Sequence, residues 1–209
     1  VGNGKITLVA TYDNGWDRYS SVLSNNPGGK LTVNSGVIEH LGGTAMAYAI
    51  DNLTNGKGTY AETVINGGIV KSTYRAIRQF LNGIEAQNIL TVNGGTIEGA
   101  NKSIWMQDPS ANANSGKLTV GESASLKGDA YLTVTAGSTD WPVQVSIAAV
   151  ALKDGAKVLS TNVPAKYQVK LVNGYYTIVE IAPAAKIGDE IYYSRLFTTK
   201  SHRVRIKQR

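Results

Sequence analysis

Two aspartates come first among the residues that could do chemistry. A sugar polymer is hydrolysed by two carboxyl groups about 5–10 Å apart, one as acid and the other as base or nucleophile. Asp51 and Asp108 each lie near the end of an apolar stretch, and Glu62 precedes another. If those stretches are equivalent strands two layers apart in a stack, Asp51 and Asp108 stand about 10 Å apart. The spacing permits catalysis, but a turn or capping role explains each residue as well and is preferred. His40 and His202 are the only histidines, one near a corner and one near the chain end, and make neither a triad nor a metal site. There is no cysteine, so disulfides and thiolate metal sites are excluded. The glycines of Asn93-Gly94-Gly95 are not followed by a helical pattern and read as turn residues, not a phosphate loop. No metal or cofactor is expected.

Glu39, Lys71 and Glu98 each lie five residues after an asparagine, Asn34, Asn66 and Asn93. Lys127 takes the same place in a fourth copy if one residue is inserted there. Stacked, these positions alternate acid and base along one face. They form either a polar groove for a substrate or a charge ladder that fixes the register of neighbouring strands. The ladder is preferred, each exposed pair contributing about 0.2–1 kcal/mol. Aromatic residues are the better binding lead. Trp16, Tyr19, Trp105 and Trp141, with the tyrosines Tyr175, Tyr176, Tyr192 and Tyr193, can stack on sugar rings or anchor a protein. Packing beneath loops or plugging an end would use the same residues.

The elements that must position these groups are repeats. LTVNSGVIE (Leu31–Glu39), TVINGGIVK (Thr63–Lys71), LTVNGGTIE (Leu90–Glu98) and a worn LTVGESASLK (Leu118–Lys127) share one grammar. Asn34, Asn66, Asn93 and Gly121 follow one another at intervals of 32, 27 and 28 residues. Each copy has an alternating strand, an Asn/Gly corner able to adopt left-handed backbone angles, a second short strand and a third apolar stretch. Three short strands per turn at this period predict a parallel β-solenoid, in which each turn buries its apolar face only against its neighbours. Val33, Ile65, Val92 and Val120 should form one inward column, and Ile38, Val70, Ile97 and Leu126 a second. Asn34, Asn66 and Asn93 should form an amide ladder at the corner. Lys5–Ala10 and Ser21–Leu23 read as one more, less regular turn.

This VNGG phrase resembles right-handed parallel β-helix proteins of the pectate-lyase-like superfamily. It most resembles the repetitive surface proteins of gut bacteria and fibre proteins of their phages, over roughly residues 5–134. The resemblance implies an all-β, right-handed parallel β-helix of about five turns. Polysaccharide lyases of that fold join a calcium-binding acidic cluster to a basic residue. Here there is no dense acidic cluster, and Lys71, Arg75 and Arg78 have no carboxylate close by in sequence.

After about Ala136 the grammar changes. Asp154-Gly155 and Asn173-Gly174 are both hairpin signals. The expected organisation is a β-helix over residues 1–140, a small antiparallel cap over 141–185, and a basic strand, tail or start of a further module over 186–209. Of 209 residues, 42% are hydrophobic and only 17% charged, which suits a β-rich, turn-rich chain and not a disordered one. The net charge of +6 equals the six basic residues Arg195, Lys200, Arg203, Arg205, Lys207 and Arg209. With its alternation of apolar and basic residues, that tail reads as a strand with one charged face, not as a nucleic-acid arm. No apolar run is long enough to span a membrane. The chain begins at Val1 without a signal segment and reads as a fragment or processed product.

Together these features predict a non-enzymatic structural or adhesion module, extracellular or on a cell or virion surface, that presents a rigid face to a glycan or a protein. The open strand edges suit homo-oligomers such as trimers. The alternative is a carbohydrate-active β-helix, a polysaccharide lyase or tailspike depolymerase.

Overall fold

The computed structural model describes residues 4–9, 20–42, 47–83, 85–107, 115–141, 143–182, 185–187 and 190–192. Within them the chain is an all-β parallel solenoid of about five turns. Each turn lays one strand on each of three faces. The first face holds β3 (Lys30–Val33), β6 (Tyr60–Ile65), the start of β9 (Gln87–Gln107), the start of β10 (Ser115–Thr133), and β11 (Val143–Ala148). The second holds β1 (Lys5–Val9), β4 (Val37–Leu41), β7 (Ile69–Ser72), the middles of β9 and β10, and β12 (Leu152–Lys153). The third holds β2 (Ser20–Asn25), β5 (Ala47–Asn55), β8 (Arg75–Asn82), the ends of β9 and β10, and β13 (Val158–Thr161). All these pairings are parallel, so equivalent residues of successive turns stack about 4.8 Å apart.

Both expected apolar columns form. Val33, Ile65, Val92 and Val120 are in register and continue to Ile147. Ile38, Val70, Ile97 and Leu126 are in register and continue to Leu152. A third column, Leu23, Ile50, Ile77, Ile104, Ala130 and Val158, lines the remaining face. Most of these side chains are fully buried, and each such aliphatic contributes about 1.5–3 kcal/mol by leaving water. The repeated glycine after the asparagine has a steric cause. Gly95 has φ +86, and a Cβ there would lie 2.7 Å from the carbonyl oxygen of Gly68 in the turn before. Only a residue without a side chain lets successive corners approach so closely.

The corner asparagines stack as expected. Asn66 Nδ2 donates to Asn34 Oδ1 at 2.8 Å, and Asn93 Nδ2 donates to Asn66 Oδ1 at 2.8 Å. The fourth copy carries the inserted residue: the register shifts between Val120 and Ser123, which brings Lys127 opposite Glu98. The insertion is put to use. Glu122 Oε1 there accepts a 2.8 Å hydrogen bond from the Tyr175 hydroxyl and so ties the cap to the solenoid.

One hairpin signal is genuine and the other is corrected. β14 (Tyr167–Val172) and β15 (Tyr175–Glu180) pair antiparallel across Asn173-Gly174, and β15 caps part of β11. Asp154 and Gly155 also take positive φ, 54 and 80, as in a hairpin turn. Yet β12 and β13 on either side both lie parallel on β10. Asp154-Gly155 is a corner of the last turn, and the parallel strands run on to Thr161, beyond the boundary at residue 140. A local turn signal fixes the bend; which strand receives the chain afterwards is decided by the open edge of β10. A separate antiparallel pair joins β16 (Ala185–Ile187) to β17 (Glu190–Tyr192).

Candidate functional site

On the outer side of the second face, Glu39, Lys71, Glu98 and Lys127 stand in register. The Glu39 carboxylate is gripped from both sides. It meets Lys5 at 2.5 Å and is ion-paired with Lys71, and its side chain is only 4% exposed. The hydrogen bonds from Lys5 and Lys71 hold its pKa down at about 2 against the opposing effect of burial. A lowered folded-state pKa means that the stabilisation is complete above the unfolded value of about 4.3 and is lost as pH falls through the folded value. The thermal midpoint of wild type should therefore drop between about pH 4.3 and pH 2 more steeply than that of Glu39→Gln, in melts read by circular dichroism. Parallel acid limbs would show that the ladder does not carry this pair.

Beside this ladder an open trough of about 490 Å³ crosses five turns, from His40 and Leu41 past Ser72 and Gly99 to Gly128 and Asp154. Gly99, Ala100 and Gly128 line its corner. Glu98 is exposed, and Lys127 lies 3.8 Å from Asp154. His40 is buried, and burial lowers its pKa. Its Nε2 lies 2.7 Å from Ser20 Oγ while Nδ1 has no partner. Without a third group on Nδ1 this pair lacks the orienting acid of a triad.

The proposed acid–base residues are placed differently. Asp51 points outward on the third face but is 5% exposed and held by Arg78, whose Nε and Nη2 donate at 2.8 and 2.5 Å. The guanidinium lies between the rings of Tyr48 and Phe80, 4.9 and 4.7 Å from their centroids. A carboxylate locked in this way is a structural ion, and Arg78 finds in the preceding turn the partner its sequence neighbours lack. Asp108, Trp16, Tyr19, Tyr193 and His202 lie outside the described residues, as does the basic tail. Glu62 accepts from the Tyr60 hydroxyl at 2.6 Å and pairs with Lys30 at 3.3 Å, and both contacts lower its pKa.

Trp105 is half-buried on the third face. The Arg75 guanidinium lies 4.0 Å from its ring centroid, and its Nε1 donates to Thr133 Oγ1 at 3.0 Å. Trp141 is not a surface platform: it is 7% exposed and belongs to the core beneath the hairpin. Among the described residues its indole N–H has no acceptor, nor has the buried hydroxyl of Thr119 a partner. A buried polar group left so costs about 1–3 kcal/mol. Both residues line a cleft of about 430 Å³ between the hairpin and the first face.

The sequence reading missed an interior amide column. Asn25, Asn52 and Gln79 are in register inside the third face, 27 residues apart. Asn25 Nδ2 donates to Asn52 Oδ1 at 2.9 Å, and Asn52 Nδ2 donates to Asn88 Oδ1 at 2.7 Å. The spacing of 27 was a usable signal, but these residues lie in the variable stretch between the repeated phrases. No group of His, Cys, Asp and Glu able to hold a metal occurs among the described residues, and no helix there is long and apolar enough to cross a membrane.

No protein-family model, curated protein or solved structure matches this chain.

Proposed function

We propose that this chain is a non-enzymatic structural and adhesion module that works outside the cell, as part of a bacterial surface protein or a phage fibre, and presents a rigid face to a glycan or a protein. The trough carries this reading. It is open, runs across five turns of the stack, and displays charged side chains at the repeat of the stack beside small residues. A linear polymer can lie in such a trough and meet acidic and basic groups that alternate from turn to turn. The candidate acids do not suit turnover: Asp51 and Glu39 are each locked to cations, whereas a general acid or base needs a free, poised carboxyl. Self-association through open strand edges, including trimers, belongs to the same proposal.

The test is a polysaccharide panel scored for both retention and cleavage. The expected result is retention of at least one polymer, weakened in the double variant Glu98→Gln/Lys127→Gln, without new reducing ends or unsaturated products. Turnover that disappears in Asp108→Asn would overturn the proposal in favour of a carbohydrate-active enzyme.

A further inference from the structure

We infer that the cleft at the cap is a subsite for one neutral hexose unit, an assignment that rests on the glycan-binding reading above. The cleft exists because two strands part. β15 pairs with β11 only from Ser146 opposite Thr177 to Ala148 opposite Tyr175. Beyond Thr177, β15 continues with β14 alone, and the edge of β11 over Val143–Val145 receives no strand from it. The resulting wedge of about 430 Å³ lies within the usual range of small-molecule sites, about 300–1,000 Å³.

Its lining selects the chemistry. Thr119, Ser146 and Thr177 are stacked on successive strands and offer a row of hydroxyls, with Gln144 beside them. Trp141 and Tyr167 supply aromatic walls. Among the described residues Lys117 is the only charged one in the lining, and nearby Asp140 is engaged by Lys166 at 2.6 Å and by the Tyr167 hydroxyl at 3.1 Å. Two buried polar groups in this wall lack partners: the Trp141 indole N–H, which can only donate, and the Thr119 hydroxyl, which can donate and accept. A ring carrying several hydroxyls satisfies both at once, and its C–H face meets the aromatic and aliphatic surface. A cation finds no carboxylate in the lining, and a carboxylate finds Lys117 alone.

The experiment is a ¹⁵N NMR titration of the full chain with maltotriose, cellotriose and mannotriose, with trigalacturonic acid as the charged comparison. The Trp141 indole resonance is identified by its loss in Trp141→Phe. The expected result is a shift of that resonance with at least one neutral trisaccharide. Thr119→Val and Trp141→Phe should each weaken binding by roughly tenfold or more, and Thr119→Val should do so without lowering the melting temperature, because its hydroxyl has no partner among the described residues. Lys57→Gln, in an exposed turn, should leave binding unchanged. Should Trp141→Phe fail to fold, Thr119→Val alone carries the test. Unchanged affinity in Thr119→Val, or binding of the acidic trimer alone, overturns the subsite and leaves the glycan reading standing. A lowered melting temperature in Thr119→Val that tracks its loss of binding overturns it too, since the hydroxyl would then be structural. If neither these trimers nor the polysaccharide panel is bound, the glycan reading falls as well.

Discussion

Asp51→Leu should destabilise the chain by about 3–5 kcal/mol, the largest effect expected of any single charged residue among those described. The cause is the guanidinium left behind. Arg78 is 4% exposed and receives both oxygens of Asp51 from the preceding turn. It cannot swing to water without leaving the Tyr48 and Phe80 rings that flank it. Salt should change the loss little, because a buried pair is poorly screened. The double variant Asp51→Leu/Arg78→Met should recover most of the stability, since removing both charges removes the desolvation cost along with the attraction. Urea unfolding followed by far-ultraviolet circular dichroism measures all three. A loss below about 1 kcal/mol, the range of exposed pairs, would mean that the ion pair is solvated. The same experiment bears on function, because a carboxylate that holds the fold together in this way is not available as an acid or base.

Asn52→Leu should cost at least about 3 kcal/mol although the two side chains have similar size. Asn52 is fully buried and occupies the middle of the interior amide column. Its Oδ1 accepts from Asn25 Nδ2 and from Thr63 Oγ1, at 2.9 and 3.0 Å. Its Nδ2 donates to Asn88 Oδ1 and to the carbonyl of Ile89, at 2.7 and 3.0 Å. Leucine deprives four groups of a partner at once, and each buried orphan costs about 1–3 kcal/mol unless it finds another. Asn25 does keep the carbonyl of Glu62, at 2.7 Å, so the penalties do not simply add. The exposed ladder provides the contrast. Asn66→Leu removes two side-chain bonds of the same lengths, yet water reaches those partners, and the loss should stay within about 1 kcal/mol. Equal effects in the two variants would show that the interior column is hydrated. Hydrogen exchange at the Thr63 and Ile89 amides provides a local check, since both belong to this network.

How much could be read from the sequence depended on what each residue needed. The apolar columns and the corner asparagines were legible because stacking imposes one residue type at one place in every turn. Val92 and Asn93 therefore announce themselves beside Ile65 and Asn66. The alternating charges were legible for the same reason, including the inserted residue that brings Lys127 onto Glu98. Asp51 and Arg78 were legible only singly, because an ion pair across a turn leaves no mark in the local sequence. Asp154-Gly155 was read as a hairpin because its backbone preference is that of a hairpin, whereas the pairing of its flanking strands depends on which edge is free.

The sequence by itself determined the solenoid, its register and the use of its most regular residues, because those follow from short-range preference repeated at a fixed period. The tertiary structure alone decided where that regularity leaves space. The trough lies along one corner of five turns, where Ser72, Gly99 and Gly128 leave room between larger neighbours. The cap cleft opens where β15 parts from β11, and there Trp141 and Thr119, 22 residues apart in the chain, leave their polar atoms without partners in a common wall. Neither residue carries a mark of that role in its sequence neighbourhood. A site made by the divergence of two strands depends on contacts between distant segments, which no local preference encodes.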